Sequence, residues 1–349
     1  MQPLTDLLSL AASGFDLAVV RLAQGFARAS AGRRPGHGER LLRVEQAAAL
    51  AAAIDPGRFF AAPGPMRGAR QSFVRDLPGG EVVDLSWESG WEPHETSSRA
   101  SYLAYVENRT AHARLLRHAA PRPTLVCLHG YRAGFHRLEE IAWNARWLYR
   151  LGLDVALLTL PFHALRAPRG RAAPMFPSAH VLRTLEGFGQ AIWDLRSLLT
   201  WMRGRGAPLA GVAGMSLGGY TAALAATVEA NLDYAVLFIP LADLTDVAVE
   251  HAALRGEQFP PQLVDAGKRA LTLVRPLARK PLIPGDRMLV AAASADKITK
   301  AATHAHRLAD HFHAPLVTFA GAHLLQLGRR TAFARMAALL AKQGALHPR

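Results

Sequence analysis

From residue 122 onward the chain alternates short apolar runs with longer amphipathic segments, and that alternation leaves few folds open. The runs 124–129, 155–160, 209–214, 234–239, 288–293 and 316–319 are short enough for buried strands. The stretches 138–151, 179–203, 217–230, 301–312 and 327–343 have the apolar spacing and the alanine and leucine content of helices. Buried strands joined by helical crossovers imply an α/β fold, with a mostly parallel central sheet and helices on both faces. Half of the 349 residues are apolar, enough to bury such a core.

Two other regions frame this one. Residues 58–118 read as short strands at 71–76, 82–88, 102–106 and 112–116, with a turn at Pro78-Gly79-Gly80. Residues 1–57 read as a helical extension: a helix over 4–26, a basic glycine-rich break at 32–38, and a helix over 39–54 closed by Asp55-Pro56-Gly57. The expected organisation is therefore an extension at 1–57 and a catalytic-type domain at 58–349. After the strand ending near Ile239, residues 240–285 are too long for a simple connection and contain their own helical stretches. They are expected to form a helical insertion placed as a lid.

Within the alternation, one pentapeptide carries chemistry. Gly214-Met215-Ser216-Leu217-Gly218 puts a serine between two glycines where a strand ends and a helix begins, the context a nucleophile elbow requires. The turn holds the serine at a strained backbone position, and side chains on the glycines would collide where strand and helix meet. A serine hydroxyl is a poor nucleophile at neutral pH, so it needs a base and a group to orient that base. Downstream, Asp296 follows the run 288–293 and His323 follows the run 316–319. The order Ser, acid, His is the one expected on such a sheet, and each residue falls just past the C-terminal end of a strand. Asp243 and Asp246, after the preceding strand, are rivals for the acid. Oxyanion donors are expected at the backbone N–H of Leu217 and at Tyr131 in the loop His129-Gly130-Tyr131. His129 is expected to orient that loop. Phe162 and His163, in Pro161-Phe162-His163 after the run 155–160, are expected on the wall of the substrate cleft.

These residues resemble the α/β-hydrolase superfamily over residues 120–345: His129-Gly130, Pro161-Phe162-His163, Gly214-Met215-Ser216-Leu217-Gly218-Gly219, Asp296 and His323. The resemblance implies a serine hydrolase with a Ser-His-Asp triad and an acyl-enzyme intermediate, acting on a carboxylic ester. An acyltransferase on the same triad and a non-catalytic binding protein of this fold are the alternatives. The extension, Leu128-His129-Gly130-Tyr131 and the Pro-Phe-His loop are similar to the group around α/β-hydrolase domain-containing protein 18. That similarity implies an acyl lipid or phospholipid substrate.

Composition narrows the partners. Lys and Arg exceed Asp and Glu by 14 formal charges, spread along the chain, which suits peripheral contact with an anionic membrane surface. No nucleic-acid motif accompanies the charge, so no nucleic acid partner is expected. The single cysteine, Cys127, excludes an intramolecular disulfide and a cysteine-built metal site, and its apolar run marks it as a core thiol. No metal and no organic cofactor is implied. The N-terminal run is interrupted by Asp6, Asp16 and Arg21, unlike a signal peptide or a membrane span, so a cytoplasmic protein with peripheral membrane contact is expected.

Overall fold

A computed structural model of the chain describes residues 36–171, 174–254 and 256–346, together with Ser9, 12–14 and Asp16. Among these residues one sheet holds nine strands: β1 (Arg67–Leu77), β2 (Gly80–Glu88), β3 (Thr110–His118), β4 (Thr124–Leu128), β5 (Asp154–Leu158), β6 (Ala210–Met215), β7 (Ala235–Phe238), β8 (Met288–Ala293) and β9 (Leu316–Phe319). Their spatial order is β1-β2-β3-β5-β4-β6-β7-β8-β9. The pairs β1–β2, β2–β3 and β3–β5 are antiparallel, and every pair from β5 to β9 is parallel.

The parallel strands are apolar because both of their faces are covered. Every residue of β4, β5, β7 and β8 is buried. Alternate side chains of β4 serve opposite faces. Val126 and Leu128 join a core under helices Val181–Gly204, Leu217–Ala225 and Ala305–Phe312. Leu125 and Cys127 join a second core under helices Ala145–Arg150 and Arg329–Lys342. Burial pushes the Cys127 thiol far above its ordinary pKa, so it stays protonated and inert. The chain runs from β4 to β5 on one side and reaches β6 on the other, which opens a crevice at the C-terminal ends of β4 and β6.

Two expectations change here, and one lies mostly outside the described residues. Residues 102–106 are not a strand: helix Thr96–Leu103 ends inside that stretch, and a 3-10 turn at Val106–Arg109 begins at its last residue. The Glu95 carboxylate accepts from the Ser98 N–H at 2.7 Å, which satisfies a first-turn donor and starts the helix. Tyr102 then turns inward and donates to Gln190 at 2.7 Å. The helix expected over 138–151 is two helices, His136–Ala142 and Ala145–Arg150, because Asn144 adopts φ 49° between them. The helix expected over 4–26 lies outside the described residues except for Ser9, 12–14 and Asp16, which are helical.

Between β7 and β8 stand helices Leu244–Ala253 and Pro261–Ala270. The second packs Ala270 against Ala47 and Ala48 of helix His37–Ala52, and Arg269 pairs with Glu45 at 2.6 Å. Among the described residues no helix is long and apolar enough to cross a membrane.

Candidate active site

Strand β6 ends at Met215, and Ser216 takes φ 56°, ψ −112° before helix Leu217–Ala225 begins. An L-residue in that region is strained, so the surroundings must impose it. They do so through close backbone approach. A Cβ on Gly214 would lie 1.9 Å from the Gly218 carbonyl oxygen, and one on Gly218 would lie 2.0 Å from that of Leu128. The Ser216 N–H donates to the Phe238 carbonyl at 2.9 Å, tying the turn to β7.

Three predicted residues meet at this edge. Ser216 Oγ lies 2.9 Å from His323 Nε2, and His323 Nδ1 lies 2.8 Å from Asp296 Oδ2. His323 is carried by the loop after β9, and Asp296 by the loop after β8. The other oxygen of Asp296 accepts from the Ile298 and Thr299 N–H groups, both at 2.8 Å. Burial alone would raise the Asp296 carboxyl. The facing His323 charge and hydrogen bond, with those two N–H donors, outweigh burial and hold it below its ordinary value. The site can therefore keep a carboxylate against an imidazole that touches a serine hydroxyl, with all three groups mostly buried.

Thr299 was not singled out in the sequence. Its hydroxyl lies 2.9 Å from Asp296 Oδ2, 3.1 Å from His323 Nδ1 and 3.1 Å from the Ile239 carbonyl. It lies three residues past Asp296, and a threonine near a helix start gives no signal of such a contact. Asp243 and Asp246 are engaged elsewhere. Asp243 caps helix Leu244–Ala253, accepting from the Thr245 N–H at 2.8 Å, and pairs with Arg275 at 3.0 Å. Asp246 pairs with Arg307 at 2.6 Å and Lys268 at 3.1 Å.

The two expected oxyanion positions flank the serine. Leu217 is the first residue of its helix, where N–H groups have no partner within the helix. Across the crevice, a Cβ on Gly130 would fall 3.5 Å from Ser216 Cβ, so the Gly130-Tyr131 backbone lies beside the nucleophile. His129 shapes that loop with both ring nitrogens. Nε2 accepts from the Leu160 N–H at 2.9 Å, which leaves Nδ1 to donate to the Gly130 carbonyl at 2.8 Å. Burial holds this imidazole well below its usual pKa.

Phe162 differs from the expectation. Its ring is fully enclosed, edge-on to Tyr102 and Tyr105 at 5.3 and 5.4 Å, so it packs the loop instead of facing the cleft. His163 is also fully buried. Its ring sits 5.0 Å from that of His129 and 5.9 Å from that of Tyr131, behind the oxyanion loop. Burial lowers its pKa to about 4, so it is neutral, and Nδ1 donates to the Pro161 carbonyl at 2.8 Å. The same loop is anchored by fully buried Arg166, whose guanidinium lies 2.8 Å from Asp194 and donates to the Thr159 and Asn108 carbonyls.

Comparison with known proteins agrees with this fold. The family model "Alpha/beta hydrolase domain containing 18" matches residues 96–249. An uncharacterized protein of Mycobacterium tuberculosis strain H37Rv, Rv2627c, is 35% identical over 276 residues, which is 77% of this chain. A second, from strain CDC 1551, matches equally, and the aligned region spans 66% of the length of either relative. Among solved structures, an acetyl xylan esterase of Paenibacillus sp. R4 superposes with a TM-score of 0.55 at 15% identity, covering 89% of this chain and 96% of that one. Acetyl xylan esterase 1 of Thermoanaerobacterium sp. JW/SL YS485 gives 0.54 at 13% identity, covering 89% and 95%. An esterase of Thermogutta terrifontis gives 0.50 at 14%, covering 82% and 96%. With its sheet order, its strained serine between β6 and a helix, and these matches, the chain has the α/β-hydrolase fold, and over residues 96–249 it is similar to the α/β-hydrolase domain containing 18 family.

Proposed function

We propose that this chain is a serine hydrolase that cleaves carboxylic esters through Ser216, His323 and Asp296. The observation that carries the reading is the hydrogen-bonded line Ser216–His323–Asp296, at 2.9 and 2.8 Å, at a nucleophile elbow. His323 Nε2 takes the Ser216 proton as Oγ attacks the acyl carbon, and the carbon–oxygen bond of the ester then breaks with that proton passing to the leaving alcohol. Asp296 fixes the imidazole so that Nε2 faces the serine. The Leu217 and Tyr131 N–H groups receive the oxyanion. Water, deprotonated by His323, releases the acid and restores Ser216.

The substrate we propose is an acyl lipid with an anionic head group, met at a membrane surface. Support comes from the apron around the serine. Tyr131, Phe135, Leu138 and Ile141 on one side, and Leu324, Leu325 and Leu327 on the other, are all large apolar residues left exposed. Arg329 links the two sides by donating to the Ala142 carbonyl at 2.9 Å. Arg132, Arg137 and Arg330 are exposed among them, which favours an anionic surface. Turnover of p-nitrophenyl esters from acetate to palmitate, in wild type and Ser216→Ala, tests the chemistry. Phosphatidylglycerol against phosphatidylcholine vesicles tests the substrate class. Turnover that survives Ser216→Ala overturns the mechanism. Turnover of short esters with neither vesicle bound nor cleaved overturns the lipid assignment.

A further inference from the structure

The loop that presents His323 is held from a distant part of the chain. Between Gly321 and Leu324, three backbone N–H groups point to side chains near the N-terminus. Gly321 donates to Ser9 Oγ at 3.1 Å. His323 donates to Asp16 Oδ2 at 2.7 Å, and Leu324 donates to Asp16 Oδ1 at 3.0 Å. One carboxylate thus receives two successive amides of the loop that carries the base, and Asp16 is completely buried. Two acceptors on one rigid group fix direction as well as distance, because each N–H must aim at its own oxygen. Gly321 itself stands at φ 117°, and a Cβ there would fall 2.5 Å from the Leu325 carbonyl oxygen, so the loop is a tight hairpin of backbone, closed on itself by the Ala322 N–H to the Leu325 carbonyl at 2.9 Å and the Gly328 N–H to the Ala320 carbonyl at 2.7 Å. On its inner side His323 keeps the 2.9 Å contact with Ser216.

We infer that Asp16 is a positioning residue for the base: its carboxylate sets the His323 backbone, and through it the reach of Nε2 to Ser216. The inference rests on the proposed Ser216–His323–Asp296 chemistry. It also makes the N-terminal extension part of the active site. Any event that draws Asp16 away from this loop slackens the base without touching the serine.

The test uses the full-length protein with Asp16→Asn, Asp16→Glu and Ser216→Ala beside wild type. A fluorophosphonate is the probe: Ser216 Oγ displaces fluoride from phosphorus, and the serine proton leaves through His323. The end point of labelling counts folded sites, and the rate per site reports the position of the base. Asparagine offers one oxygen where two are needed and turns an N–H toward the second amide. The expected result is a rate per site, and a kcat on a soluble ester, about 10- to 100-fold below wild type with KM within about twofold, since ångström-scale misplacement of a reacting group costs up to about 10²-fold. Asp16→Glu keeps both acceptors and is expected to recover part of the rate. A rate per site within about twofold of wild type in Asp16→Asn overturns the inference, and so does Asp16→Glu reacting no faster than Asp16→Asn. If Asp16→Asn does not fold, Asp16→Glu decides. A rate about threefold or more below wild type supports the positioning role, and a wild-type rate overturns it. Labelling that persists in Ser216→Ala would instead remove the proposed function on which the inference stands.

Discussion

At Asp296 and Asp243 the same residue type, each just beyond a strand, does two different things. Asp243 accepts from helix N–H groups and pairs with Arg275, which is the ordinary work of a capping aspartate. Asp296 also accepts two N–H groups, yet its second oxygen turns to His323. Asp296→Asn is expected to lower kcat by about 10⁴-fold, the scale found when the orienting carboxylate of a serine-protease triad is replaced and the wrong imidazole tautomer results. Asp243→Asn is expected to lower the melting temperature but keep kcat, per site titrated with a fluorophosphonate, within a few fold. Equal losses of kcat in the two variants would contradict the assignment. Chain order and strand ends made Ser216, Asp296 and His323 legible in the sequence, because each is a local feature at a predictable place. Asp16 was not legible, since its partner lies 307 positions away and no local pattern encodes that contact. Thr299 was missed because a hydroxyl's partners are set by loop shape.

Elements were legible where burial wrote a pattern. The bounds of β8, buried along its whole length, follow directly from its apolar run. The stretch 102–106 failed because a buried tyrosine facing Gln190 gives the same alternation as a strand face. The loop after β5 failed in another way. Its aromatic and histidine looked like cleft wall, but the loop is built around a buried ion pair between Arg166 and Asp194. Removing one partner of such a pair leaves an unmatched buried charge, which costs about 3–5 kcal/mol, whereas replacing both by apolar residues is often neutral. Arg166→Met is therefore expected to lose stability on that scale in urea unfolding, and Arg166→Met with Asp194→Leu to regain most of it. A double variant no more stable than the single one would show that the carbonyl contacts of Arg166, and not the pair, hold the loop.

For the whole molecule, the buried titratable groups pull stability in opposite directions. His163 has a folded pKa of about 4, below the ordinary imidazole value of about 6.5, so between those limits the unfolded chain binds a proton that the folded one does not. Its contribution to stability is full above about pH 6.5 and lost as pH falls toward 4, on the order of 3 kcal/mol across that window. Glu186 opposes it. Burial raises that carboxyl to about 7, although the His94 and Glu95 N–H groups pull it down, so its protonated form favours the fold on the acidic side of the same window. The informative quantity is the difference between proteins. The stability gap between wild type and His163→Gln is expected to shrink as pH falls from 7 to 4, and a gap independent of pH would contradict a neutral buried His163. Charge is likewise organised at this scale. Arg75, Arg114, Arg117 and Arg196 are tied into ion pairs with Asp84, Glu81, Glu140 and Glu229, while Arg132, Arg137 and Arg330 stay exposed.

The central claim is that Ser216 is a nucleophile activated by His323. Its most direct test is incubation of the folded protein with a fluorophosphonate, followed by mass-spectrometric mapping of the adduct, beside Ser216→Ala and His323→Ala. The account predicts one adduct per chain on Ser216, none in Ser216→Ala, and strongly slowed labelling in His323→Ala. A folded wild-type protein that takes up no label, or one labelled at another residue, would contradict it.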